Sequence, residues 1–483
     1  MRPSTLKHLA LGCAVIAAAG GIGLMRRLPV PKSCGTVAHP VTVEPSKLAC
    51  PAGGATVAER PESYGFIVKY KRTAQPNAIA KLMAQMNVGR VYRYSNLPLF
   101  AFGLYPEDKA ETTDAFLERL RKHPSVEYVE PNYVYKAEDV RPNDPGFAEQ
   151  WGHFNDGQPI KGGRPGIPGV DAAVPSAWDV TTGSRDVVVA IIDTGVDYTH
   201  EDLADNMWVN DREIPNNGLD DDSNGVVDDY YGYNAVGNSG DPMDDNGHGT
   251  HCAGVIGAKG DNGAGIAGVN WDVRLMALKF LDANGRGTLN DALECIDYAI
   301  AMKRRGVNLR ILSNSWGGGG YSRALEDAIR IANANDILFV AAAGNAGTDN
   351  DRLPHYPASY NVPNVVSVAA LSPDDKLAAF SCYGKKTVHL AAPGVDVYST
   401  VPVGVFGEGY KHFSGTSMAT PYVAGAAALV LANTPGLSVK QLKAQLLRSV
   451  TPTAALAERV ATGGRLNVAR ALGVRSEQAF LPE

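Results

Sequence analysis

Four short, largely apolar runs, at 187–192, 274–280, 309–313 and 337–342, constrain this chain more than anything else in it. Each is too short for a buried helix and lacks the strict polar alternation of a half-exposed strand. Each therefore reads as a strand covered on both faces. Helical patterns lie between them, over 289–304 and 323–334. Strands of that kind, separated by helices, predict an α/β domain on a mainly parallel sheet sandwiched by helices. In such sheets, sites collect at the carboxyl ends of the strands.

Upstream, residues 62–136 have a pattern of their own. Strands are expected at 65–70, 90–94, 99–105 and 126–129, with helices near 78–86 and 109–123. The order βαββαβ is a ferredoxin-like α+β unit. A charged, exposed strip at 136–145 follows it, a suitable place for cleavage. At the start, Arg2 and Lys7 precede an apolar stretch at 9–25, with small residues at 17–19. That predicts an export signal over 1–27, the alternative being an uncleaved membrane anchor. Residues 28–61 read as a Pro-rich linker and 475–483 as a tail. Too little apolar sequence precedes Cys13 for it to be a lipidation site. Cys34 and Cys50 can close a small disulfide loop, and the pairing of Cys295 and Cys382 stays open. With a formal net charge of −6, the chain shows no sign of a nucleic-acid partner.

Four segments carry chemistry. The first strand ends in Asp193-Thr194-Gly195, a carboxylate closing an apolar run, which is costly unless something pairs with it. His248 stands between Gly247 and Gly249, which keep its imidazole accessible. His251 lies deeper in the apolar segment that follows and reads as a core histidine, with Cys252 as a buried thiol; His200 is a weaker rival. The last strand of the four runs into Ala342, Ala343, Gly344 and Asn345. Small residues there leave a cleft wall open, and an Asn side chain brings an N–H donor. The wall carries no fixed charge, which predicts a broad apolar or aromatic preference. Finally, residues 415–421 read Gly-Thr-Ser-Met-Ala-Thr-Pro, directly before an apolar helical run at 423–432. Ser417 is placed in the first turn of that helix, with Pro421 early enough to be tolerated. There it is either a simple helix cap or a nucleophile beside unpaired N–H groups. A histidine oriented by a carboxylate and activating a serine is the machinery of acyl transfer.

In order, the segments at Asp193, His248, Asn345 and Ser417 resemble the motifs of the subtilisin-like serine proteases (subtilases), of the thermitase type. The resemblance covers about 142–474 and implies a catalytic domain there. It implies a secreted serine endopeptidase, extracellular or periplasmic, acting on proteins or peptides. Asp193 would orient the imidazole, His248 would be general base and acid, and Ser417 the nucleophile. Asn345 and the Ser417 N–H would form the oxyanion hole. Ser315, Trp316 and Gly317 resemble the segment that pairs with substrate backbone, and Ala342, Ala343 and Gly344 of the cleft wall are expected to bind substrate as well. Residues 62–141 resemble an inhibitory propeptide, so the enzyme would be a self-processing zymogen. An esterase or amidase is the rival enzyme, but no Gly-x-Ser-x-Gly elbow is present. A non-catalytic calcium-binding scaffold is the rival from another class; the four intact residues speak against it.

Residues 220–229 have a separate chemistry. Asp220, Asp222 and Asn224 alternate hard oxygen ligands, Gly225 supplies the turn, and Asp228 falls at the ninth position of a calcium loop. Tyr231 stands where an EF-hand needs Glu, so this is no EF-hand; a solvated acidic insertion is the alternative. Asp144, Asp202, Asp261 and Asn262 match a second calcium site of the family. Structural Ca2+ is therefore the expected cofactor.

Overall fold

The computed structural model describes residues 63–88, 91–94, 97–105, 112–133, 140–161 and 163–474. The export signal, the linker, the tail and the Cys34–Cys50 loop fall outside these residues, as do residues 136–139 of the charged strip.

The N-terminal unit is a four-stranded antiparallel sheet. Its strands are β1 (Ser63–Tyr70), β2 (Val91–Arg93), β3 (Phe100–Gly103) and β4 (Val126–Tyr133), in the order β2-β3-β1-β4. Helices α1 (Pro76–Gln85) and α2 (Thr113–Arg121) complete the expected βαββαβ order. Helix α2 starts where Thr112 Oγ1 accepts from the Ala115 N–H, satisfying one of the donors a helix start leaves free. It buries Phe116, Leu117 and Leu120, a helical spacing, against the alternating Phe66 and Val68 of β1.

From Gly183 the chain builds a nine-stranded sheet. Its strands are β5 (Gly183–Asp193), β6 (Gly232–Asn234), β7 (Asp272–Lys279), β8 (Leu309–Asn314), β9 (Leu338–Ala342), β10 (Val365–Leu371), β11 (Leu390–Pro393), β14 (Thr451–Pro452) and β15 (Gly464–Arg465). A separate hairpin joins β12 (Val397–Thr400) to β13 (Tyr410–Phe413). The sheet order is β14-β15-β11-β10-β9-β8-β5-β7-β6, and only the β14–β15 pair is antiparallel. Odd and even residues of each strand go to opposite layers, so both faces must be apolar. Val187, Val189 and Ile191 of β5 face one core, and Val188, Ala190 and Ile192 the other.

Helices cover both faces. On the first lie α3 (Pro175–Trp178), α4 (His248–Gly257), α8 (Thr416–Asn433), α9 (Val439–Arg448) and α10 (Val468–Ala471); on the second, α5 (Leu289–Arg304) and α6 (Arg323–Ala334). The short α7 (Val403–Phe406) lies within the β12–β13 connection. The predicted ranges of α5 and α6 hold to the residue because caps mark them. Thr288 and Asp291 form a capping box, and Ser322 Oγ accepts from the Leu325 N–H. Helix α8 is buried along almost its whole length, which its Ala- and Val-rich sequence allows. No helix among the described residues is long and apolar enough to cross a membrane. Cys252, Cys295 and Cys382 are free and buried.

Candidate active site

Asp193 ends β5 fully buried, and its Oδ1 accepts from His248 Nδ1 and from the Thr194 N–H, both at 2.8 Å. An ionised carboxylate can only accept, so Nδ1 carries the proton and Nε2 is left as the basic atom. His248 opens α4, and that helix approaches the strand end very closely. A Cβ on Gly249 would stand 2.1 Å from the Gly195 carbonyl oxygen and 3.1 Å from Asp193 Cβ. Glycine at 249 is what lets the imidazole reach the carboxylate.

Asp244 holds the same two elements together. Its Oδ1 accepts from Thr194 Oγ1 (2.9 Å), the Asn246 N–H (3.0 Å) and the Gly247 N–H (2.9 Å). Its Oδ2 accepts from the Thr250 N–H (3.0 Å) and Oγ1 (2.6 Å). Thr194 Oγ1 in turn accepts from the Gly249 N–H at 2.9 Å. Burial works against charging His248, but the charge and hydrogen bond of Asp193, helped by the charge of Asp244, outweigh it. The His248 pKa is thereby held above the ordinary histidine value.

The rival histidines are elsewhere engaged. His251 Nε2 meets the carbonyls of Val397 and Lys411, its ring stacks on Phe413, and burial pushes its pKa down to about 3. His200 Nε2 meets the Gly409 carbonyl at 2.9 Å.

Ser417 is the second residue of α8, among the N–H groups that a helix start leaves unpaired. Pro421 sits further in than the tolerated first turn. Its missing N–H would have gone to the Ser417 carbonyl, four residues back. That carbonyl accepts instead from Ser315 Oγ at 2.8 Å and from Cys252 Sγ at 3.5 Å. Burial holds the Cys252 thiol well above its ordinary pKa, so it stays a donor. Ser417 Oγ donates to the Ser315 carbonyl at 2.9 Å. Serine–base contacts are commonly loose without substrate and tighten on binding.

Asn345 Oδ1 accepts from the Thr416 N–H and Oγ1, each at 2.9 Å, while Thr416 Oγ1 accepts from the Gly344 N–H. The amide is thus pinned by its oxygen, and Nδ2 has no partner among the described residues. A Cβ on Gly415 would lie 3.5 Å from Asn345 Nδ2 and 3.6 Å from the Ser417 nitrogen. Two donors therefore flank one void that only a glycine leaves open. His248, Ser417 and Asn345 line a single cleft of about 860 Å3 with Ser315, Trp316, Gly317, Ala342 and Gly344. Ala343 does not join them. Strand alternation turns it away, into a core with Val170 and Leu371. The cleft also holds His355, so its walls are less uniformly apolar than the sequence suggests.

The acidic loop is rearranged relative to expectation. Glu213, Asp220 and Asp222 bring carboxylate oxygens within 4.8 Å of one another. Glu213 Oε2 and Asp222 Oδ1 are buried without a partner, and Arg305 is the cation paired with this trio, 2.7 Å from Asp222. Three convergent carboxylates with two orphaned oxygens fit a hard cation. Asp228 stands outside the group because its carboxylate caps the Asn217 and Gly218 N–H groups. Asn224 donates from Nδ2 to Asp229 and accepts at Oδ1 from the Val226 N–H. In the second set, Asp144 accepts from the Asp261 N–H, and Asp202 from the Ile266 N–H and from Asn262 Nδ2. Asp261 turns to the Asn143 N–H. Asp144 and Asp202 are buried, which raises both pKa values, and Asp144 Oδ1 lacks a partner. The carboxylates of this set do not gather within the same 4.8 Å.

Sequence reading missed Glu213, Asp244, Thr416 and His355. Asp244, four residues before His248, and Thr416, beside Ser417, had a signal in their position. The other two are joined to their sites only by the fold.

The subtilase family model matches residues 184–474. The chain is 38% identical over 312 residues to subtilisin-like protease 1 of Plasmodium vivax, covering 61% of this chain and 48% of that protein. It is 39% identical over 323 residues to a thermophilic serine proteinase of Bacillus sp. strain AK1, covering 67% of each. The chain thus spans about half the length of the Plasmodium relatives it matches. A solved structure of proteases from Pseudoalteromonas arctica superposes with a TM-score of 0.56 at 26% identity, over 70% of this chain and 100% of that one.

Proposed function

The chain belongs to the subtilase family, and on that premise we propose that it is a serine endopeptidase cutting protein substrates through an acyl-enzyme on Ser417. The observation that carries this is the pairing of an Asp193-bound His248 with two donors around the Gly415 void, in one cleft. Substrate backbone lies along 315–317 with its scissile carbonyl oxygen in that void. Ser417 Oγ leaves the Ser315 carbonyl, passes its proton to His248 Nε2 and attacks the carbonyl carbon. Asn345 Nδ2 and the Ser417 N–H stabilise the oxyanion, and Asp193 stabilises the imidazolium. His248 then gives its proton to the leaving amine, and water repeats the sequence to release the acid.

The finer reading adds processing, location and a metal. The small α+β unit within 62–141 serves as inhibitory propeptide, cut from the 142–474 domain by its own Ser417 within 136–145. The apolar stretch at 9–25 supports export, hence a secreted or periplasmic enzyme. Calcium would be held by Glu213, Asp220 and Asp222, and a second ion near Asp144 and Asp202. It would neutralise buried carboxylates and take no part in the reaction.

Wild type and Ser417→Ala, assayed on casein and on a peptide ester, test the reading. Wild type should cut both and the variant neither. An enzyme that cleaves the ester and leaves casein intact would be an esterase and would overturn the proposal.

A further inference from the structure

We propose that His355 is the floor of the slot that receives the substrate side chain on the acyl side of the cut bond. On this reading it selects a residue with a hydrogen-bonding tip, glutamine or glutamate. The inference rests on the endopeptidase reading above and names its substrate class. Strands β8 and β9 are paired as far as Asn314 and Ala341. Beyond them residues 315–317 on one side and Ala342 and Gly344 on the other line the cleft as two walls. The imidazole of His355 touches both. A Cβ on Gly317 would come 2.2 Å from its Nε2, and one on Gly344 3.0 Å from its Cδ2 and Cγ. The acyl carbonyl oxygen is fixed between Asn345 and Ser417, at the end of one of these walls. The side chain on that same residue therefore enters the gap between the walls and meets the ring.

The segment carrying the ring is anchored, and the ring is chemically free. The His355 backbone N–H donates to Ser359 Oγ at 3.0 Å. Neither ring nitrogen has a hydrogen-bond partner among the described residues, and His355 lines the cleft. The walls beside it are glycine and alanine, so the imidazole is the polar group a side chain meets there. The titratable or charged groups around it are Tyr356 on its own segment, Cys382 behind Gly344, and His248 and Arg286 across the cleft. None of them shifts it; burial alone holds its pKa below the usual histidine value.

A neutral imidazole offers one N–H and one lone pair, pointing to opposite sides of the ring, so an amide can pair with either nitrogen and a carboxylate only with the N–H. A phenyl ring would both collide with the floor and cover its nitrogens without pairing them. Sites built to hydrogen-bond a substrate group reject analogues lacking it. As pH falls through the ring's titration, the cation favours glutamate over glutamine. His248 titrates equally for both substrates, so the ratio isolates His355.

The test uses peptides differing only at the acyl-side residue, Gln, Glu, Leu or Phe. Their kcat/KM values are measured between about pH 5 and 8 for wild type, His355→Gly and His355→Gln, with casein digestion and thermal midpoints alongside. Wild type should prefer Gln and Glu over Phe by about tenfold or more, with the Glu-to-Gln ratio rising as pH falls. His355→Gly should open the slot and shift the balance toward Phe by about tenfold. His355→Gln should keep the polar preference and lose the pH dependence of the ratio. If His355→Gly does not fold, wild type and His355→Gln decide. A wild type that prefers Phe, or a Glu-to-Gln ratio that is flat in pH and unchanged in His355→Gln, overturns the inference while casein is still digested. Failure to digest casein at all would sink the endopeptidase reading instead.

Discussion

Asp244→Asn keeps the shape of the side chain and turns one of its acceptor oxygens into a donor. Five donors converge on that carboxylate: Thr194 Oγ1, the N–H groups of Asn246, Gly247 and Thr250, and Thr250 Oγ1. The less costly orientation sets the new NH2 at the Oδ2 position. The Thr250 hydroxyl, which also accepts from the Asp197 N–H, can turn away, but the buried Thr250 N–H then has no acceptor. One orphaned donor costs about 1–3 kcal/mol, and weakening the remaining charge-assisted bonds adds about 1 kcal/mol. The total, about 2–4 kcal/mol, corresponds in a domain of roughly 330 residues to a thermal midpoint lower by about 3–6 °C. Activity carries a second, independent signature. His248 works as a base only when neutral, so kcat/KM rises with pH through its pKa. The Asp244 charge is one of the influences that raise that pKa, so its removal moves the acid limb to lower pH. Calorimetry gives the midpoint, and peptide-ester hydrolysis against pH, well below both midpoints, gives the limb. An unmoved acid limb together with an unchanged midpoint would refute the view of Asp244 as the clasp between the two elements.

Asn345→Ala should lower kcat by about 10²–10³, a figure that comes from a subtilisin asparagine of this kind, with KM little changed; near-normal kcat would remove Asn345 from the oxyanion hole. A ligand that binds only the native state stabilises it by mass action. Chelation should therefore lower the thermal midpoint, and Glu213→Gln or Asp222→Ala should blunt the calcium response; midpoints identical in chelator and excess calcium would exclude both sites. Ser417→Ala, made in a host without related proteases, should remain a full-length precursor, while wild type yields two associated fragments. Equal processing of both would place the cleavage in another protease.

Where the chemistry is local in sequence, it was legible. The Asp193, His248, Asn345 and Ser417 segments each combine a reactive residue with the glycines or helix start that its geometry requires. Helices α5 and α6 were bounded by their caps. Strands β10 and β11 were not singled out, since short Ala- and Val-rich runs fit a helix as well as a strand. Glu213 was invisible because it lies seven positions before Asp220, and only the folded loop turns its carboxylate inward. Asp228 stands apart from the acidic group for the converse reason. Ligand-like spacing cannot show that the Asn217 and Gly218 N–H groups already use its carboxylate. His355 reaches the cleft from a segment that no motif marks, and its meaning depends on the glycines at 317 and 344 standing on either side.

The central claim is that His248 activates Ser417, and a fluorophosphonate probe reads it directly. Wild type should take up the probe at one position, mapped by peptide mass to Ser417. His248→Ala, still folded by calorimetry, should react at least about a hundredfold more slowly, as loss of a general base requires. A label on any other residue, or equal rates in the two proteins, would contradict the account.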